Sequence, residues 1–97
     1  MDLEFAHEKD AHRYTVRNGG ELVSALDYAL SPQAISFTHT FTPPPHRGKG
    51  YAKLLVDYAI DDVENTTELA VRPMCWYVGE WFDAHPERQG LLTRSVG

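Results

Sequence analysis

The sequence predicts an α/β fold of the α+β type, a mostly antiparallel five-stranded sheet with helices packed on it. Three observations carry this. Segments in the first half alternate apolar and polar residues with the two-residue period of a strand, two segments in the second half repeat apolar residues at helical spacing, and Gly, Pro and Asn clusters mark the junctions.

Leu3, Phe5 and His7 alternate with Glu4, Ala6 and Glu8, and "HRYTV" at residues 12–16 repeats the pattern, which gives two strands joined by a few residues around "EKDA". "NGG" at residues 18–20 reads as a tight turn, since Asn and Gly tolerate positive φ. In "ELVSALDYAL" Leu22, Leu26, Tyr28 and Leu30 share one face of a third strand, although the Ala and Leu content also suits a short helix. After a turn at "SPQ", "AISFTHTFT" sets Ile35, Phe37, His39 and Phe41 on one face and Ser36, Thr38, Thr40 and Thr42 on the other. Pro43, Pro44 and Pro45 end that strand, because proline can neither continue a ladder nor open a helix interior. Tyr51, Leu54, Leu55, Tyr58 and Ala59, widened by Ala52, Val56, Ile60 and Val63, then form a helical stripe running to about Asn65. A short strand follows at residues 68–72, and Val78, Trp81 and Phe82 mark a second helix stopped by Pro86.

A chain of 97 residues can bury one modest core, so residues 1–97 are expected to form a single domain. No apolar run approaches the roughly eighteen residues of a membrane span, and "MDLEFAHEKD" lacks the basic and apolar regions of a signal peptide. One cysteine, Cys75, allows no internal disulfide, so a cytoplasmic location is expected. A net charge of −5 argues against nucleic acid as the main partner. The histidines show no ligand spacing, and no metal site is expected.

Against that acidic background, "HRGKGYAKLL" gathers Arg47, Lys49 and Lys53 around Gly48 and Gly50 at the start of a helix. Such a loop presents unpaired backbone N–H groups and a partial positive charge, which suits phosphate. The nucleotide-triphosphate loop is excluded because Tyr51 stands where Ser or Thr must follow the Gly-Lys pair. The dinucleotide fingerprint is excluded by Lys53 at its third small position and by a loop that follows antiparallel strands.

Arg47, Gly50 and Ala52 do meet the pattern Arg or Gln, two residues, Gly, one residue, Gly or Ala. With "HT" at residues 39–40, "PPP", "RGKGYA", "PMCWYV" at residues 73–78 and the tail "FDAHPERQGLL", the chain resembles the minimal, roughly hundred-residue branch of the GCN5-related N-acetyltransferases. The resemblance implies that acetyl-coenzyme A binds at the loop. Main-chain amides from Gly48 through Lys49, Gly50 and Tyr51 to Ala52 would hold the pyrophosphate, Arg47 and Lys49 would add charge, and Lys53 would help or point outward. Phe41 and Thr42 would offer backbone groups to the pantetheine arm, with Phe82 or Trp76 as a wall; Trp76, Tyr77, Trp81 and Phe82 otherwise pack the core.

Cys75 and His39 are the catalytic candidates that the resemblance implies. A thiol at a helix N-terminus has a lowered pKa, so Cys75 either relays an acetyl group or lines the pocket. His39 serves as a base for the thiol or for the acceptor amine, or is a hydrogen-bonded core histidine. The implied reaction is acetyl transfer from acetyl-coenzyme A to an amine, a protein lysine, an N-terminus or a small amine; the alternative is an acyl-coenzyme A-binding module without useful turnover. Larger members carry helices between the first two strands, so here the acceptor side is expected to be open, in a monomer or weak dimer.

Overall fold

The computed structural model describes residues 2–94. Five strands, β1 (Leu3–Glu8), β2 (Arg13–Asn18), β3 (Glu21–Leu30), β4 (Ala34–Phe41) and β5 (Ala70–Pro73), lie side by side in chain order. The first four are antiparallel neighbours, whereas β5 is parallel to β4 because the chain crosses over through helix α1 (Tyr51–Thr66) before it returns. Helix α2 (Trp76–Ala84) follows β5. Pro86 ends α2 as the sequence predicts, but the chain continues as a 3₁₀ segment over Pro86–Thr93, which the sequence reading did not anticipate.

One face of the sheet holds the core. Leu55, Val56, Ala59, Ile60 and Val63 of α1 and Val78, Trp81 and Phe82 of α2 meet Tyr14, Val16, Leu26, Tyr28, Ile35 and Phe37 of the sheet, each large side chain contributing about 1.5–3 kcal/mol through burial. Leu54 and Tyr58, assigned to the helical stripe, lie at its margin at 39% and 37% exposure, and the Tyr58 ring stacks on Phe5 at 5.1 Å. Both α-helices pack on this face; the opposite face is bare of them, although Thr15 and Ala25 there are buried.

Two β-bulges revise the strand faces. In β3 the register shifts around Val23, because Val16 pairs with Ser24 but Arg17 with Leu22. Val23 therefore takes the core place expected of Leu22, and Leu30, at the strand end, is 51% exposed. In β4, Tyr28 pairs with Phe37 but Asp27 with His39, so Thr38 is the extra residue. The alternation flips there: Ile35 and Phe37 face the core as expected, while His39 and Phe41 turn to the bare face and Thr40 turns inward. His39 is thus not a core histidine.

Polar groups inside the β1–β3 half are matched to one another. Tyr14 Oη donates to Asp62 Oδ2 at 2.6 Å, His7 Nδ1 lies 3.3 Å from the same oxygen, and His7 Nε2 and Tyr28 Oη are hydrogen-bonded at 2.6 Å. Burial and then the Asp62 carboxylate push the Tyr14 phenol pKa upward. At the far end of α1, Arg94 donates to the carbonyls of Val63 and Glu64 in the last turns of the helix and of Leu69 in the segment that follows.

Candidate active site

Strands β4 and β5 part early. Their pairing runs from Ala34↔Ala70 to Phe37↔Pro73, and the Cys75 N–H donating to the Phe37 carbonyl at 2.9 Å is the last link. Beyond it β4 continues to Phe41 while the other chain turns into α2, so the two diverge and leave a groove of about 340 Å³. Thr40 and Thr42 line one wall, Trp76 and Tyr77 the other, and His46, Arg47, Gly48, Gly50, Tyr51 and Ala52 close its end.

The loop has the geometry an anion requires. Gly48 and Gly50 adopt φ of +79° and +82°, values that L side chains rarely take, and an added Cβ at either would meet no protein atom within 4 Å. Among the described residues, the amides of Gly48, Lys49, Gly50, Ala52 and Lys53 find no acceptor. The loop is pinned from outside itself: His46 Nε2 pairs with Glu21 at the start of β3, and Arg47 Nε donates to the Thr42 carbonyl at 3.1 Å. His46 Nδ1 is buried without a partner among the described residues. Free amides, a positive-φ loop and an orphaned buried nitrogen fit a bound polyanion.

Cys75 is the N-cap residue of α2, 8% exposed, with Sγ 3.6 Å from Thr40 Oγ1. Burial pushes the thiol pKa up, but the Thr40 hydroxyl and the amides of Tyr77, Val78 and Thr40, turned toward the sulfur, outweigh it, so the net shift is downward.

The remaining candidates separate. His39, 64% exposed at its side chain, lies on the opposite face from Thr40 and faces Asp27 rather than Cys75. Phe41 also leaves the groove, and its carbonyl already accepts from Ser24 Oγ at 3.2 Å; Thr42 stays in it. Lys53 turns away to pair with Asp57 at 3.2 Å. Trp76, 72% exposed, is a groove wall and not core, whereas Trp81 and Phe82 are core and not wall. Thr40, His46 and Tyr77 complete the groove without having been singled out for it; the "HT" pair contained the only signal for Thr40.

Comparison with known proteins gives the family. Protein NATD1 of Gallus gallus is 28% identical over 92 residues, which cover 92% of this chain and 82% of that one. The Homo sapiens Protein NATD1 is 30% identical over 92 residues, 92% of this chain and 80% of the relative. The crystal structure of a ribosomal-protein-alanine N-acetyltransferase from Brucella melitensis biovar Abortus 2308 superposes with a TM-score of 0.53 at 27% identity, covering 67% of this chain and 52% of the enzyme, so this chain spans about half of that neighbour. A family model described as GCN5-related N-acetyl-transferase matches residues 13–91, and the chain belongs to that family.

Proposed function

We propose that the chain is an N-acetyltransferase that moves an acetyl group from acetyl-coenzyme A to an amine. The observation that carries this is the set of unpartnered amides at Gly48, Lys49, Gly50, Ala52 and Lys53 in the loop that closes one end of the groove, with Thr40 on the groove wall and Cys75 behind it, 3.6 Å from the Thr40 hydroxyl. The amides and Arg47 bind the diphosphate. Thr42, Trp76 and Tyr77 orient the extended arm along the groove. When bound, the coenzyme supplies an activated acetyl thioester. The Thr40 hydroxyl and amide, which now point at the Cys75 sulfur, are donors placed to stabilise negative charge developing at the inner end.

Direct attack by the amine is the leading route. The lowered Cys75 pKa favours a second, in which the thiolate takes the acetyl group, the coenzyme leaves as its thiol, and the amine then displaces Cys75. The bare sheet face leaves the acceptor side open, and the acidic chain suits a cationic amine.

The test is acetylation of a panel of lysine peptides, peptide N-termini and polyamines, read by mass spectrometry. An acetylated amine is the expected product. No product from any amine at stoichiometric enzyme, with coenzyme A binding intact, would replace the enzyme by an acyl-coenzyme A-binding module. Under single turnover, a mass gain of one acetyl group on the protein that is lost in Cys75→Ala would assign the relay; without it, transfer is direct.

A further inference from the structure

Resting on the acetyl-transfer reading, we propose that Asp27 is a positioning residue for His39: its carboxylate holds the imidazole with Nδ1 as donor, leaving Nε2 free on the bare sheet face to take the acceptor amine's proton. The two residues stand directly opposite each other in the β3–β4 register, at the bulge created by Thr38. The bulge is braced locally, because Thr38 Oγ1 donates to the Asp27 carbonyl at 3.4 Å. His39 Nδ1 lies 3.6 Å from Asp27 Oδ2, within ion-pair distance but longer than a hydrogen bond, and base–orienter contacts are commonly long before substrate binds.

A second His–carboxylate pair shows what a structural one looks like here. His7 has both ring nitrogens engaged, by Asp62 and Tyr28, and is largely enclosed. His39 has only Nδ1 near a carboxylate, and its Nε2 has no partner among the described residues. Neighbouring charges do not compete for Asp27: Arg13, opposite it on β2, is bound to Glu8 at 2.8 Å, and β5 ends at Pro73, with Arg72 level with Ser36. The next residue along β4, Thr40, faces the groove and Cys75, so the strand presents the thioester site on one side and the base on the other. A carboxylate on Nδ1–H selects the tautomer whose Nε2 accepts a proton. In the step, the amine nitrogen forms a bond to the acetyl carbon, the carbon–sulfur bond breaks with its electron pair leaving on the coenzyme sulfur, and the amine proton passes to Nε2.

Ring ¹⁵N spectra of the free protein at about pH 9, where a histidine is neutral, are expected to show His39 protonated on Nδ1, with the Nε2–H form gaining in Asp27→Ala and the Nδ1–H form restored in Asp27→Glu. Kinetically, His39→Ala should lower kcat about 10²-fold. Asp27→Ala should lower kcat about tenfold with KM little changed, and cost nothing further in the His39→Ala background. An Nε2–H tautomer in the unaltered protein, or the same loss from Asp27→Ala with and without His39, would overturn the proposal. If no amine is acetylated, the proton-transfer role falls with the acetyl-transfer reading, and the tautomer then reports separately whether Asp27 orients the ring.

Discussion

The two ends of the sheet differ in how their strands stay together. Strands β1, β2 and β3 remain paired along their lengths, and their inward polar groups, His7, Tyr14 and Tyr28, bond to one another or to Asp62 of α1. Strands β4 and β5 pair over four residues and then diverge, and the loop beyond them leaves amides and a buried imidazole nitrogen without internal partners among the described residues. A buried polar group left unmatched is costly, so the unmatched His46 nitrogen beside a run of unpaired amides points to a ligand there. On the proposed function, the first end supplies stability and the second binding, and substitutions should separate the two.

The largest effect is expected from Leu26→Ala, which empties a fully buried position beneath α1 and should cost about 2–5 kcal/mol of stability in urea unfolding. Coenzyme A affinity of the remaining folded protein should be unchanged. Gly50→Ala reverses the pattern. Its Cβ enters the groove at φ +82°, so loss of two charged hydrogen bonds at about 1.5–3 kcal/mol each should weaken coenzyme A binding by a hundredfold or more in calorimetry. The left-handed backbone adds a stability loss of only about 1–2 kcal/mol.

Tyr14→Phe removes one hydrogen bond from Asp62 in the matched half and should cost about 1–2 kcal/mol without altering binding. Thr40→Val, in the divergent half, should raise the pH midpoint of Cys75 alkylation, because the hydroxyl that stabilises the thiolate is gone.

The smallest effect concerns pH. Burial lowers the His7 pKa below its ordinary 6.5 against the opposing pull of Asp62. Between the lowered value and 6.5 the unfolded chain binds a proton that the folded chain does not, so stability should rise with pH across that window and flatten in His7→Gln. An unchanged slope in the variant would remove His7 from the account.

The periodicities made most of the fold legible, because Ile35 and Phe37 must share a strand face and Leu55, Ala59 and Val63 a helix face. The glycine loop was legible as a sharp turn into a helix, since Gly48 and Gly50 supply the positive φ that such a turn requires. The bulges at Val23 and Thr38 were not, because a bulge is a relation between two strands and leaves no mark on the alternation of either. That omission misplaced Leu22, His39 and Phe41 and hid the approach of Thr40 to Cys75. Trp76 stayed undecided between core and groove wall because aromatic residues favour the interior on average, whereas a groove wall must keep one open side, and the structure puts it on the wall.

The central claim is that the loop amides receive a diphosphate. Backbone amide spectra recorded while dephospho-coenzyme A and, separately, pantetheine are added test it most directly. The account expects Gly48, Lys49, Gly50, Ala52 and Lys53 to shift with dephospho-coenzyme A and to stay still with pantetheine, which lacks the phosphates. Shifts confined to other residues, or the same loop shifts with both compounds, would contradict it.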